Sequence, residues 1–310
     1  MAVTVLTHNG KFHADEVVAI SILSAFFKYD NIDISITRSR DEQTMKLGGF
    51  NYLIDVGGKY NPEKGKFDHH HEKMFRENGN IYASAGLVWK EFGKSFVLLI
   101  INEISRFASV DTDKFYSKVD TKLIDTVYRN VDELMTEVDA IDNGVEVKNK
   151  YGISRVIDVF NNTDVYSAAQ DDAFVQMVNF MEQYLKNFVT KEIIRYLDEK
   201  DAKRELQKEI AVFAMFNSSW FGMVDEDTNA KLVVFPENRE KTSWRIQAVP
   251  EKAFSFVLKF PAPEEWRGKR DFIVDDVHVT FVHVNGFICG IEGYLEDAMK
   301  IAKKWIELSK

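Results

Sequence analysis

The chain has 310 residues, a formal net charge of -9, 45% hydrophobic and 29% charged residues, and a single cysteine, Cys289. That length implies two domains at roughly 100–200 residues each, the composition is that of a folded globular protein, and the acidic balance excludes a general nucleic-acid coat. One thiol forms neither an internal disulfide nor a paired-cysteine metal clip, and the longest apolar run, Phe96 to Ile101, is far below the roughly 18 residues that span a bilayer.

Val3–Thr7 reads as a strand that runs straight into His8, and beyond it Val17, Val18, Ile20, Ile22, Leu23, Phe26 and Phe27 recur at helical spacing. Ile32–Thr37 alternates as a strand does, and Tyr52–Ile54 is a short apolar strand ending on Asp55 and Gly57-Gly58. Strand, helix, strand, strand predicts an α/β sheet. In such sheets ligands bind beyond the carboxyl ends of the strands, where His8 and Asp55 stand. Gly93-Lys94-Ser95 has the ending of a P-loop, but Val88 occupies the place of the first glycine, so the triplet reads as a helix terminus. Leu123, Val127, Val131, Leu134, Val138 and Ile141 trace one face of a helix that stops at Asp142-Asn143-Gly144, with Asp139 and Asp142 one turn apart. A second long helical pattern covers Asp171–Glu209. Short strands follow at Ile210–Phe216, Lys231–Phe235, Trp244–Val249 and Val279–Val284, and an amphipathic helix closes the chain at Leu295–Leu308. The expected fold is α/β: a parallel-sheet catalytic domain over 1–168, then a helical connector and a smaller α+β substrate-binding domain over 169–310.

Five of the seven histidines fall within the first 71 residues, interleaved with aspartates: His8, His13, Asp15, Asp55, Asp68, His69, His70 and His71. Imidazole with carboxylate suits first-row divalent metals, and carboxylates shared between two ions build the two-metal sites of phosphoryl chemistry. Asp15, Asp55, Asp68 and Asp139 or Asp142, gathered without cations, would repel by about 4 kcal/mol for each pair at ~4 Å in an effective dielectric of about 20. Divalent ions remove that penalty.

The order His8-x4-His13-x-Asp15, an apolar strand ending in Asp55, Asp68-His69-His70 and an aspartate after a helix resembles the DHH phosphoesterase superfamily. More narrowly, HNGKFHADE at 8–16, DVGG at 55–58, FDHHH at 67–71, YASAGLVW at 82–89, VDAIDNG at 138–144, WRIQAVP at 244–250 and FVHVNGFICG at 281–290 resemble the melanocyte-proliferating-gene exonuclease family. The resemblance implies a DHH-type catalytic domain and a metal-dependent phosphodiesterase, a 3′-to-5′ exonuclease on RNA or short single-stranded nucleic acid. It implies that His8, His13 and Asp55 hold one metal, and that Asp15, Asp55, His69 and the Asp139/Asp142 element hold the second, with Asp55 bridging. Two Mn2+ ions are expected ahead of Mg2+ because of the imidazoles, with Co2+ or Zn2+ as other occupants. His70 is expected at the phosphoryl oxygens, and Asp68 as the group that orients a ligand imidazole. His71 has no assigned counterpart. Arg155, Arg245, His283 and the turn at Gly286 stand in matching segments as substrate contacts. A small-molecule phosphohydrolase acting on pyrophosphate or oligonucleotides shares the same constellation, and a metal-binding scaffold without turnover would keep the same ligands. With no signal or transit peptide visible ahead of His8 and a lone cysteine, an intracellular, reducing compartment is expected, the cytoplasm first.

Overall fold

The computed structural model describes every residue except 1, 72, 108–114, 146–150, 217–219, 225–227, 254 and 310, and describes the backbone alone at 107, 198–205, 222 and 223. The chain divides into two units, Met1–Ile193 and Ile194–Lys310.

The first unit holds a five-stranded sheet of order β2-β1-β3-β5-β4, built from β1 (Val3–Thr7), β2 (Ile34–Arg38), β3 (Tyr52–Ile54), β4 (Tyr60–Asn61) and β5 (Lys66–Phe67). β1 runs parallel to β2 and β3, and β3 parallel to β5; β4 lies antiparallel on β5. Leu6 pairs with Leu53, and Ile54 with Phe67. Carried onward past the strand ends, that register sets His8, Asp55 and Asp68 side by side at the carboxyl edge of three neighbouring strands.

Helices α1 (Ala14–Tyr29), α2 (Glu42–Leu47), α3 (Ser84–Phe107), α4 (Thr121–Asp142) and α5 (Ile153–Asp158) belong to the same unit. α1 is buried on every side from Ala14 to Ala25 because it packs on β1, β2 and β3 and also against α3 and α4. Each buried Val, Ile or Leu there contributes about 1.5–3 kcal/mol over its exposed state. α4 is one-sided: Leu123, Val127, Val131, Met135 and Val138 are buried, and the helix ends at Asn143 and Gly144, whose φ of +77° suits a residue just past a helix end.

The long helix α6 (Ala168–Leu206) carries the division between the units, after Ile193. Its N-terminal part clusters with the first unit, where Glu182 accepts from Lys28 and Ser24 of α1 at 2.7 and 2.9 Å.

The second unit holds a six-stranded sheet of order β6-β7-β8-β11-β10-β9, from β6 (Ile210–Val212), β7 (Leu232–Pro236), β8 (Ser243–Ala248), β9 (Arg270–Val274), β10 (Val277–Val282) and β11 (Ile288–Glu292). Only β6 and β7 pair in parallel. A short α7 (Trp220–Met223) brings Trp220 against Val233 and Phe235, while α8 (Leu295–Leu308) lays Ile301, Trp305 and Ile306 over Trp244, Ile246 and Ile291. Among the described residues no helix is long and apolar enough to cross a membrane.

Gly93-Lys94-Ser95 departs from expectation, lying inside α3 and not at a terminus. Gly93 permits a close approach: a Cβ there would stand 2.7 Å from the rings of Trp89 on α3 and Tyr128 on α4, which stack at 5.5 Å. Alanine is favoured over glycine by about 0.8–1 kcal/mol in an open helix interior. Here we predict the opposite sign, with Gly93→Ala destabilising by about 1–3 kcal/mol through overpacking. The urea midpoint measures it, and an increase would contradict the close approach.

Candidate metal centre

β1 delivers His8 into full burial. Its Nδ1 lies 3.0 Å from the carbonyl oxygen of Asn9. A carbonyl only accepts, so Nδ1 carries the hydrogen and Nε2 presents a lone pair in the neutral ring. That lone pair faces two further acceptors, Glu16 Oε1 at 2.9 Å and Asp55 Oδ2 at 3.4 Å, and no hydrogen bond satisfies it. Glu16 is there because His13 is the N-cap of α1. Three residues on, Glu16 reaches back to accept the His13 N–H at 2.9 Å, as the third helical residue does in a capping box. The spacing that starts the helix therefore also sets Glu16 and the His13 ring, 5.6 Å from the His8 ring, on the same point.

Asp55 occupies the centre. Its φ of +56° is left-handed, uncommon for a residue with a side chain and a form of strain that collects at functional sites. Its Oδ2 faces His8, while its Oδ1 lies 3.4 Å from His69 Nε2 and 3.4 Å from His70 Nδ1. His69 Nε2 is also 3.1 Å from Asp142 Oδ2 at the end of α4. Asp15, wholly buried, accepts two backbone N–H groups from the first turn of α3, Ser84 at 3.0 Å and Ala85 at 2.6 Å; a helix N-terminus favours such a charge. Three donor sets result, with ligand atoms within 4.8 Å in each: His8, His13 and Glu16; Asp55, His69 and His70; Asp15, His69 and Asp142.

Without cations this set is electrostatically frustrated. Burial pushes the Asp15 carboxyl well above the usual carboxylate range, and the charges of Asp142 and Asp55 push it further. Burial alone would lower His8, but the pull of Asp55 and Glu16 outweighs it and raises the imidazole to about 10. His69 is likewise raised to about 11, against burial, by Asp142 and Asp55. Asp55, although buried, is held well below the usual range by His69 and His8. In the neutral rings His8 Nε2 and His69 Nε2 are buried lone pairs that face only carboxylate oxygens, and Glu16 Oε2 is buried without a hydrogen-bond partner. Nitrogen and carboxylate donors left open in this way fit divalent first-row ions.

Asp139, expected as an alternative to Asp142, is engaged in a separate ion cluster. Its Oδ2 accepts from Arg76 Nε at 2.9 Å and Nη2 at 2.7 Å, and its Oδ1 accepts the Gly86 N–H at 2.9 Å. Arg76 also grips both oxygens of Asp132 at 2.7 Å. A Cβ on Gly86 would fall 2.0 Å from Asp139 Oδ2, so only glycine leaves room. Burial raises Asp139 to about 6, more than Arg76 lowers it. Of the two aspartates one turn apart, Asp142 is the one that meets His69. Glu16 is absent from the sequence-based donor set; the H-x-x-E spacing at 13–16 is the signal that marks it.

Asp68 accepts from Gly58 N–H at 2.5 Å and from the His70 backbone and Nδ1 at 3.0 and 2.7 Å, and it thereby sets the half-exposed His70 ring. His71 packs over Gly58. Arg155 bonds Asp158 at 3.0 Å and lines, with His13, Asp15 and Asp142, a cleft of about 860 Å³. In the second unit, Arg245 pairs with Glu237 and lies 4.8 Å over the Phe281 ring. His283 accepts the Asn285 N–H at 3.1 Å and packs on Phe287. The Gly286 N–H, expected to approach a phosphate, is already donated to the His283 carbonyl at 2.8 Å to close its own turn.

This charge pattern has two measurable consequences. Because the folded pKa values of His8 and His69 lie above the imidazole value of 6.5, the folded metal-free chain holds protons that the unfolded chain releases. That stabilisation is complete below about pH 6.5 and is lost as pH rises through about 10 for His8 and about 11 for His69. The urea midpoint in EDTA should fall over this window, and Mn2+ should flatten the fall by replacing the protons; a rising midpoint would contradict the assignment. Arg76→Met should cost about 3–5 kcal/mol, since it strands two carboxylates. A loss under 1 kcal/mol would show that the cluster is not held by Arg76.

The chain is similar over most of its length to several proteins. The MYG1 exonuclease of Rattus norvegicus is 29% identical over 323 residues, covering 92% of this chain and 80% of the relative. The MYG1 protein of Dictyostelium discoideum is 30% identical over 322 residues, covering 93% and 92%. Among solved structures, RecJ in complex with Mn2+ from Thermus thermophilus aligns with a TM-score of 0.25 at 12% identity, covering 98% of this chain and 52% of that one. A likeness at that score carries no functional weight. The model of the MYG1 exonuclease family, described as an uncharacterised protein family (UPF0160), matches residues 4–306, and the chain belongs to that family.

Proposed function

We propose that this chain is a divalent-metal-dependent phosphodiesterase, a 3′-to-5′ exonuclease on RNA or short single-stranded nucleic acid that uses two Mn2+ ions. The observation that carries the reading is Asp55: its two oxygens face two different imidazoles, His8 and His69, whose buried Nε2 atoms in the neutral rings meet no donor and are satisfied only by a proton or a metal ion. Family membership supports phosphodiester hydrolysis, the imidazoles support Mn2+ over Mg2+, and the resemblance of the motifs supports RNA and the direction. His8, His13, Glu16 and Asp55 would hold one ion, and Asp15, Asp55, His69 and Asp142 the other.

Two divalent ions held there would make a bound water acidic enough to serve as nucleophile near neutral pH and would offset negative charge on the phosphoryl group. The protein's own groups do the positioning. Asp55 spaces the two donor sets, and the N–H groups of Ser84 and Ala85 hold Asp15 by both oxygens. Asp68 holds a hydrogen of His70 on Nδ1, which turns Nε2 outward; in the doubly protonated ring that Nε2–H would donate to a phosphoryl or leaving-group oxygen. Arg245 and His283 are proposed as further substrate contacts from the second unit.

Metal-stripped protein incubated with 5′-labelled RNA, single-stranded DNA or pyrophosphate, with Mn2+, Mg2+, Co2+ or Zn2+ added separately, tests the proposal. Mn2+ should restore a ladder that shortens one nucleotide at a time; immediate release of a labelled mononucleotide would reverse the direction, and cleavage of pyrophosphate alone would replace the substrate. Asp55→Asn should impair both metal positions, a larger loss than the about 10- to 100-fold that follows removal of an orienting neighbour. Calorimetry showing two Mn2+ ions bound as tightly as in the parent would remove Asp55 from the bridge.

A further inference from the structure

We propose that Lys11, Arg155 and Tyr151 form a nucleotide subsite in the cleft beside the metal donors, taking the phosphate and base that flank the scissile bond. The inference rests on the phosphodiesterase reading and assigns the part of the substrate that the metal donors do not touch.

Gathered carboxylates in a chain of net charge -9 repel any phosphate-bearing substrate, so binding needs cations close by. The cleft that opens on His13, Asp15 and Asp142 has one lysine and one arginine among its described lining residues, Lys11 and Arg155. Both are tied to one carboxylate: Lys11 Nζ lies 2.6 Å from Asp158 Oδ1, and Arg155 Nη1 3.0 Å from Asp158 Oδ2. Two positive heads on one negative group leave a net positive edge, and both side chains stay open to solvent, 55% and 67% exposed. The shared partner orders two long side chains in advance, which reduces the about 0.5–1.5 kcal/mol that immobilising each would otherwise cost on binding.

The clamp is also fixed relative to the metal donors. Asn161, just past α5, accepts the Phe12 N–H at 2.8 Å and donates to the Phe12 carbonyl at 2.9 Å. The segment carrying Arg155 is thus laced to the loop that carries His8, Lys11 and His13. Tyr151, 88% exposed, lines the same cleft and offers a ring on which a base can stack. A second depression, on the Asp55 and His70 side, has Arg40, Lys46 and Lys66 but no Phe, Tyr or Trp among its described lining residues. The base therefore belongs on the Lys11 and Arg155 side. Pyrophosphate has no base and would not use the ring.

Fluorescence anisotropy with a short fluorescein-labelled single-stranded RNA, with Ca2+ in place of Mn2+, tests the subsite. Lys11→Gln, Arg155→Gln and Tyr151→Leu should each raise the Kd about tenfold or more, as expected for one charge-assisted contact or one stacked base. Lys94→Gln, which removes an equal charge from α3 where Lys94 pairs with Asp125, should shift it less than twofold. Tyr151→Leu should leave the affinity for inorganic pyrophosphate at the parent value. Parent-like RNA binding by both cation variants, or an equal loss in Lys94→Gln, would overturn the subsite. Hydrolysis with Mn2+ run in parallel separates the two claims: RNA bound through these residues but never cleaved would sink the phosphodiesterase reading alone, and no RNA binding by the parent would sink the subsite.

Discussion

Mutual repulsion among buried carboxylates is the constraint on which the first unit depends. Asp15, Glu16, Asp55, Asp68 and Asp139 are each 5% exposed or less, and most of them crowd the carboxyl edge of one small sheet. At an effective dielectric of about 20, each close pair costs several kcal/mol, a sizeable part of the roughly 5–15 kcal/mol by which a domain is stable. The fold answers in three ways: a helix N-terminus, a buried arginine, and imidazoles that protons or metal ions can bridge.

The helix N-terminus does more than neutralise. Ser84, Ala85 and Gly86 give three successive N–H groups to two carboxylates, Asp15 from α1 and Asp139 from α4. The start of α3 is thereby tied to both helices it packs against, and the end of α4 is held where Asp142 can meet His69. Arg76 completes this by filling the far side of Asp139 and reaching Asp132. The result divides the acidic residues into two populations. Asp139 and Asp132 are satisfied by Arg76, whereas Glu16 keeps a buried oxygen without a partner beside His8 and His69, whose Nε2 atoms need a proton or a metal ion between them and the carboxylates.

Much of this was legible in the residues, for a physical reason. Short apolar strands that end on His8 and Asp55 announce the carboxyl edge of a parallel sheet, and the strand register then brings those ends together. The division between Asp139 and Asp142 was not legible, because residues one turn apart share a helix face and only the distant Arg76 separates their roles. Glu16 was hidden by its ordinary place in a helix-start pattern. Gly93 misled because a glycine that ends a helix and one that admits a neighbouring ring look alike in sequence. In the second unit β9 and β11 went unread: Arg270–Val274 is a largely exposed edge strand, and Ile288–Glu292 carries Gly290, which breaks the strand-like pattern while making room for Arg245 and Phe281.

The central claim is that the open donors around Asp55 are a two-ion site. Anomalous diffraction from crystals soaked in Mn2+ tests it most directly. The account predicts two peaks flanking Asp55, one contacted by His8, His13 and Glu16 and the other by Asp15, His69 and Asp142. A fully soaked crystal with no anomalous peak at Asp55, or with Mn2+ bound only at Asp139, would contradict it.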